Sequence, residues 1–215
     1  MKKPFIFVVC IVAALIAGFL ISGIIYYATG FFIFDDTRAR INISSKASNE
    51  ELTELAYEAL GILKDNDYRA LSQIIHPEYG VVFSPYATVT LPTNKCFLPE
   101  QVALFGVDTK RYVWGVYVGS GEPIEMTVSE YFSEFVFDRD YTTASVIGVN
   151  TVVRSGNALE NITEISADLR YVDFHIPVSD KDNTESNDWS SLRLGFEEYN
   201  GRLWLTVILH SEGKV

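Results

Sequence analysis

The chain has 215 residues and carries Lys+Arg 17 against Asp+Glu 28, a formal net charge of −11. Such a surface repels nucleic acid and anionic lipid, which excludes a nucleic-acid role and docking on lipid by charge. Its only cysteines are Cys10, inside an apolar N-terminal run, and Cys96, which is alone outside it, so no disulfide frames the domain.

Met1-Lys2-Lys3 is followed by a run from Pro4 to Phe34 without one charged, Asn, Gln or His side chain. A bilayer core needs only about 20 helical residues. A cleaved signal peptide has a shorter apolar core, and Tyr26-Tyr27-Ala28-Thr29-Gly30 is a poor cleavage site. The expectation is an uncleaved anchor, contacting the lipid bilayer through residues 4–34. Cys10, behind Val8-Val9, reads as a buried helix residue and not as a lipidation site. Lys2, Lys3 and the amino terminus favour a cytoplasmic start, so the rest faces outward. Ala14, Gly18 and Ser22 recur every fourth residue, a small-residue face on which two helices pack closely. Two of the basic residues precede this run and every acid follows it, leaving −13 on residues 35–215.

Three parts follow: 1–34 as cytoplasmic start and anchor, 35–48 as a polar stalk, and 49–215 as one globular domain. Ser48 and Glu51 fit a capping box. Leu52, Leu55, Ala56, Ala59, Leu60 and Leu63 then mark the apolar stripe of a helix. Asp65-Asn66-Asp67 breaks it and caps a second helix with Tyr68, Leu71, Ile74 and Ile75. His76-Pro77 stops that helix. Val81–Tyr86 is extended, and Pro99 opens a short helix. Tyr112–Val118 reads as a strand. Thr127 and Glu130 form another capping box before Val128, Tyr131, Phe132, Phe135 and Val136.

Strand signals fill the remainder: Ser145–Val153, Asp168–Ile176, Ser190–Tyr199 and Arg202–His210. Asn200-Gly201 predicts a two-residue hairpin turn. In that register Phe196 faces Leu205, Leu194 faces Val207 and Leu192 faces Leu209, one apolar face completed by Leu203. The other face carries Arg193, Glu197, Tyr199, Trp204, Ile208 and His210. Helices first and strands last predict an α+β fold, with about three helices packed on a curved antiparallel sheet.

Several phrases carry a resemblance: Asp67-Tyr68-Arg69-Ala70-Leu71, His76-Pro77-Glu78-Tyr79-Gly80-Val81, Phe83-Ser84-Pro85-Tyr86, Trp114-Gly115, Gly119-Ser120-Gly121-Glu122-Pro123-Ile124, Asp188-Trp189-Ser190-Ser191-Leu192-Arg193-Leu194 and Glu198-Tyr199-Asn200-Gly201-Arg202-Leu203-Trp204-Leu205. With the order of elements, they resemble a bacterial extracytoplasmic group of the nuclear-transport-factor-2-like superfamily, from about Glu50 to His210. The resemblance implies a cone of helices wrapped by a bent sheet. That superfamily includes isomerases and dehydratases as well as non-catalytic pockets. None of its catalytic patterns lies on this chain, so no catalytic residue is carried over.

His76 and Glu78 offer an acid–base pair, with Tyr79, Tyr86 and Trp114 as further ligand-pocket candidates. Against this, a histidine at a helix C-terminus favours the dipole. His175, Arg193, Glu197, Trp204 and His210 form a candidate partner face, for a homodimer or a membrane-protein partner. Three scattered histidines and no cysteine pair exclude a metal site, and no cofactor is expected. Asp180–Glu185 lacks the glycine and the final glutamate of a calcium loop. Asn42-Ile43-Ser44 and Asn161-Ile162-Thr163 match the glycosylation triplet. The expected function is a membrane-anchored, extracytoplasmic ligand- or protein-binding module without catalysis. The alternative is an isomerase- or dehydratase-type enzyme using the cone.

Overall fold

The computed structural model describes residues 47–178 and 188–213. The expected anchor, its Ala14, Gly18 and Ser22 face, nearly all of the stalk and the Asp180–Glu185 loop lie outside these residues. No helix among the described residues is long and apolar enough to cross a membrane. The described residues all belong to one compact unit.

Helix α1 spans Asn49–Lys64 and starts where the sequence places it. The Ser48 hydroxyl accepts from the Glu51 amide at 3.1 Å, while the Glu51 carboxylate accepts from the Ser48 amide at 2.6 Å. Two otherwise orphaned donors are satisfied, and Leu52, Ala56, Ala59, Leu60 and Leu63 are buried. Asp67 caps helix α2, Tyr68–Ile74, by accepting from the Ala70 amide. Helix α3 is the single turn Pro99–Val102. Helix α4, Val128–Tyr131, starts on the expected Thr127–Glu130 box and widens into a π turn over Phe132–Val136. The wider turn keeps Phe132, Phe135 and Val136 all in the core.

The strands are β1 Val81–Ser84, β2 Lys95–Phe97, β3 Tyr112–Val116, β4 Pro123–Met126, β5 Val146–Val149, β6 Arg170–Ile176, β7 Ser190–Tyr199 and β8 Arg202–Glu212. Six of them form one curved sheet in the order β2-β1-β8-β7-β6-β5, and β3 and β4 form a separate ribbon. The fold is α+β, as expected. The sheet is mixed instead of antiparallel, because β1 runs parallel to β8. The chain leaving α2 already lies along β8, with Ile75 bridging Leu205 in parallel and the His76 amide donating to the Leu205 carbonyl at 3.0 Å. No hairpin links these two strands, so no turn imposes an antiparallel direction.

The β7–β8 hairpin turns on Asn200 (φ 53°) and Gly201 (φ 74°), the left-handed pair a type I′ turn needs. Phe196 faces Leu205 as expected. A bulge then leaves Thr206 unpaired, so Leu194 faces Ile208 and Leu192 faces His210. One extra residue exchanges faces in a structure of period two. Ile208 and His210 therefore join the helix face, and Val207 and Leu209 move to the second face. This corrects the expected register beyond the bulge.

The second face is not open. Asn150 (φ 52°) ends β5 earlier than expected, and residues 150–169 run back across the sheet as a strap. Gly148 makes this return feasible, since a Cβ there would overlap the Thr151 carbonyl. Ile162, Val152, Ile165 and Leu169 from the strap pack with Val89, Tyr171, Val207 and Leu209 as a second, smaller core. The main core lies between helices and sheet.

Candidate functional site

Between the helices and the sheet, the space that could hold a small molecule is filled with aromatic rings. Phe83 has no exposure and makes edge or tilted contacts with Phe97, Phe105, Trp114, Tyr131 and Phe132. Trp114 stacks on Tyr131 with ring centres 3.9 Å apart and donates from Nε1 to the Met126 carbonyl at 3.0 Å. It has no exposure. Trp114 is thus a core side chain with its polar atom satisfied, and not a pocket wall. Tyr86 is half-buried against Phe135, and burial pushes its hydroxyl pKa up.

His76, Glu78 and Tyr79 come together at the opposite end of β1. The His76 Nδ1 accepts the Glu78 and Tyr79 amides at 3.2 and 3.0 Å. Its ring stacks on Tyr79 at 4.5 Å, while Tyr199 donates to the Glu78 carboxylate. A nitrogen committed to two backbone donors holds a turn and cannot take a proton from a substrate. The structure does not bring Tyr86 or Trp114 to this cluster. The His76 turn bonds Leu205 and the Pro85 carbonyl bonds His210; five residues of strand separate those contacts, about 16 Å.

Of the partner-face candidates, Glu197 and Trp204 stay together as a cross-strand pair near the hairpin tip. Both are half-buried, and Arg202 covers the Trp204 ring at 4.2 Å. His175 and Arg193 are removed from the surface by the strap, with 4 % and 0 % exposure. Arg193 donates from Nε to Asp173 Oδ2 at 3.0 Å, from Nη2 to the Arg154 carbonyl at 3.1 Å, and from Nη1 to Glu160. His175 meets Ser191 at 2.9 Å and tilts against Trp189. Burial pushes its pKa down, Asp173 opposes this, and Arg154 and Arg193 add to it. Asn161 spends its side-chain amide on both backbone groups of Val89, so its nitrogen is engaged.

His210, on the helix face, enters a network that the expected register hid. Its Nε2 lies 3.1 Å from the Ser190 hydroxyl and 3.5 Å from Asp138 Oδ1. Tyr141 donates to Asp138 Oδ1 at 2.6 Å and also touches Ser190. Burial raises the Asp138 pKa, but hydrogen bonds from His210 and Tyr141 and the charges of His210 and Arg139 outweigh it, and the net direction is down. Burial, with Asp138 beside it, drives the Tyr141 hydroxyl far up. Serine, histidine and aspartate do not form a nucleophilic triad here. A triad places the carboxylate on the ring nitrogen remote from the serine. Here the serine and the carboxylate share Nε2, and Nδ1 donates to the Pro85 carbonyl at 3.3 Å. Ser190 has no exposure. The Asp138–Tyr141 turn carried no sequence signal beyond a polar break, and Ser190 read only as a strand start.

An open groove of about 700 Å³ lies beside Lys64, Tyr68, Phe105, Asp108, Ser129 and Phe137. Its volume is in the range of small-ligand sites. A smaller groove of about 440 Å³ lies by Asn49, Asn150 and Arg170. Among the described residues no group of three or more His, Cys, Asp or Glu side chains could hold a metal ion. No protein-family model, no curated protein and no solved structure matches the chain.

Proposed function

We propose that the protein is a membrane-anchored, outward-facing binding module of nuclear-transport-factor-2-like design, single-pass and without catalysis. The observation that carries this reading is the filled interior. Phe83, Trp114, Tyr131 and their neighbours occupy the volume where an enzyme of this design would hold its substrate. Binding then falls to the outside. A small ligand fits the groove beside Tyr68 and Phe137, and a protein partner meets the hairpin end at Glu197 and Trp204. The order of helices, then a bent sheet, supports the superfamily reading. The apolar Pro4–Phe34 run supports the anchor.

The rival reading is an isomerase- or dehydratase-type enzyme, and one observation favours it. Asp138 keeps 21 % side-chain exposure beside Tyr141 and His210, so its carboxylate touches both solvent and a buried polar network.

Photo-crosslinking of the full chain in its native membrane tests the binding reading at the hairpin. A photoreactive residue at position 204 should give a discrete crosslinked product. The same residue at exposed position 58 of α1 should not. Equal, diffuse crosslinking from both positions would remove the hairpin from the account.

A further inference from the structure

The strap over the second sheet face is fastened through a cluster with an unequal charge count. Two carboxyl groups, Asp173 from β6 and Glu160 from the strap, meet one guanidinium, Arg193 from β7. Asp173 and Arg193 have no side-chain exposure and Glu160 has 18 %. Each carboxyl uses one oxygen. Asp173 Oδ1 and Glu160 Oε1 are buried and have no hydrogen-bond partner among the described residues. A buried pair is stable only when its remaining lone pairs are met, and a second uncompensated carboxylate costs more than it returns.

The rest of the surroundings does not correct this. Arg154, on the strap, lays its guanidinium over Trp189 at 5.3 Å instead of on either carboxyl. His175 is bonded to Ser191, and Tyr171, near Arg193, Asp173 and Glu160, presents a phenol. From β8, Val207 and Leu209 contribute only apolar surface.

We propose that residues 150–169 are a proton-released strap. Protonated Glu160 leaves Asp173 and Arg193 as a balanced pair and keeps the strap down. Loss of that proton to solvent, through the exposed edge of Glu160, loosens the strap and uncovers Tyr171, Val207 and Leu209. The other fastenings hold without Glu160 and act as the hinge side: the Val153 amide donates to Asp173 Oδ2 at 2.9 Å, Arg193 to the Arg154 carbonyl, and the Thr88 hydroxyl to the Leu159 carbonyl at 2.6 Å. Asn150 pairs with both backbone groups of Tyr171, and Asn161 with those of Val89. The direction of the Glu160 shift agrees: burial raises it, Arg193 opposes, and Asp173 raises it further. A raised carboxyl contributes attachment that is complete at low pH and is lost as pH rises through the folded value. The inference rests on the strap's own contacts and is independent of the anchored-module reading.

Hydrogen exchange of the full chain in lipid nanodiscs, compared with Glu160→Gln, tests it. The variant fixes the neutral form, so at pD 7.5 peptides from 150–169 should exchange about three- to tenfold more slowly than in the wild type. At acid pD the two should converge. His175 is present in both chains, so its own titration cancels. Equal or faster exchange in the variant at pD 7.5 would show that charged Glu160 fastens the strap, and would overturn the proposal. General loss of protection across β7 and β8 in the variant would overturn it as well, since the carboxylate would then be required for the fold.

Discussion

Arg193 donates to Asp173 at 3.0 Å on the sheet face away from the helices, and neither side chain has any exposure. On an alternating strand, Arg193 falls between Leu192 and Leu194, which face the core. Strand periodicity therefore assigns it to the opposite face and then says nothing of what lies above. The strap turns an expected contact surface into an interior.

Removing one member of that pair leaves the other buried and uncompensated. Arg193→Met should lower stability by about 3–5 kcal/mol. Urea unfolding measures it. A loss below about 1 kcal/mol would mean that water reaches Asp173 in solution.

The aromatic interior makes a separate claim. Phe83→Ala removes a ring that touches five others and should cost about 3–5 kcal/mol, read as a drop in melting temperature. A near-neutral effect would indicate a loose or wet interior, which would favour the enzyme reading.

Acid stability should depend on Asp138. Its pKa is lowered in the folded state, so its contribution is present above the usual carboxylate range and lost as pH falls through the folded value. Asp138→Asn should flatten the acid limb of melting temperature against pH. An acid limb that stays as steep in the variant would assign acid unfolding to other carboxylates.

The return of the chain into the strap depends on Gly148. A Cβ there collides with the Thr151 carbonyl, so Gly148→Ala should cost about 1–3 kcal/mol. Hydrogen exchange should rise in 150–169 before it rises in β7. Uniform change across the domain would show that the strap and sheet open together.

Much of the fold was legible because its signals are local. Ser48 with Glu51, Thr127 with Glu130, and Asn200-Gly201 each act within a few residues and fold as read. The Thr206 bulge was not legible. Leu203, Leu205, Val207 and Leu209 alternate as well without it, and only the tertiary fit shows which residue is extra. Strands β2 and β4 are three and four residues long and carry no clear alternation. The Asp138–His210 network joins residues far apart in sequence, and its geometry depends on the bulge that turns His210 inward.

All of the proposed function depends on the domain standing outside the cell, and Cys96 reports this directly. It is an exposed cysteine, and partial desolvation of its sulfur pushes its pKa up, so labelling needs a mildly alkaline buffer. Intact cells expressing the full chain with Cys10→Ser are treated with a charged, membrane-impermeant maleimide. The account predicts labelling of Cys96 to the same extent before and after lysis. Labelling only after lysis would place the domain in the cytoplasm and contradict it.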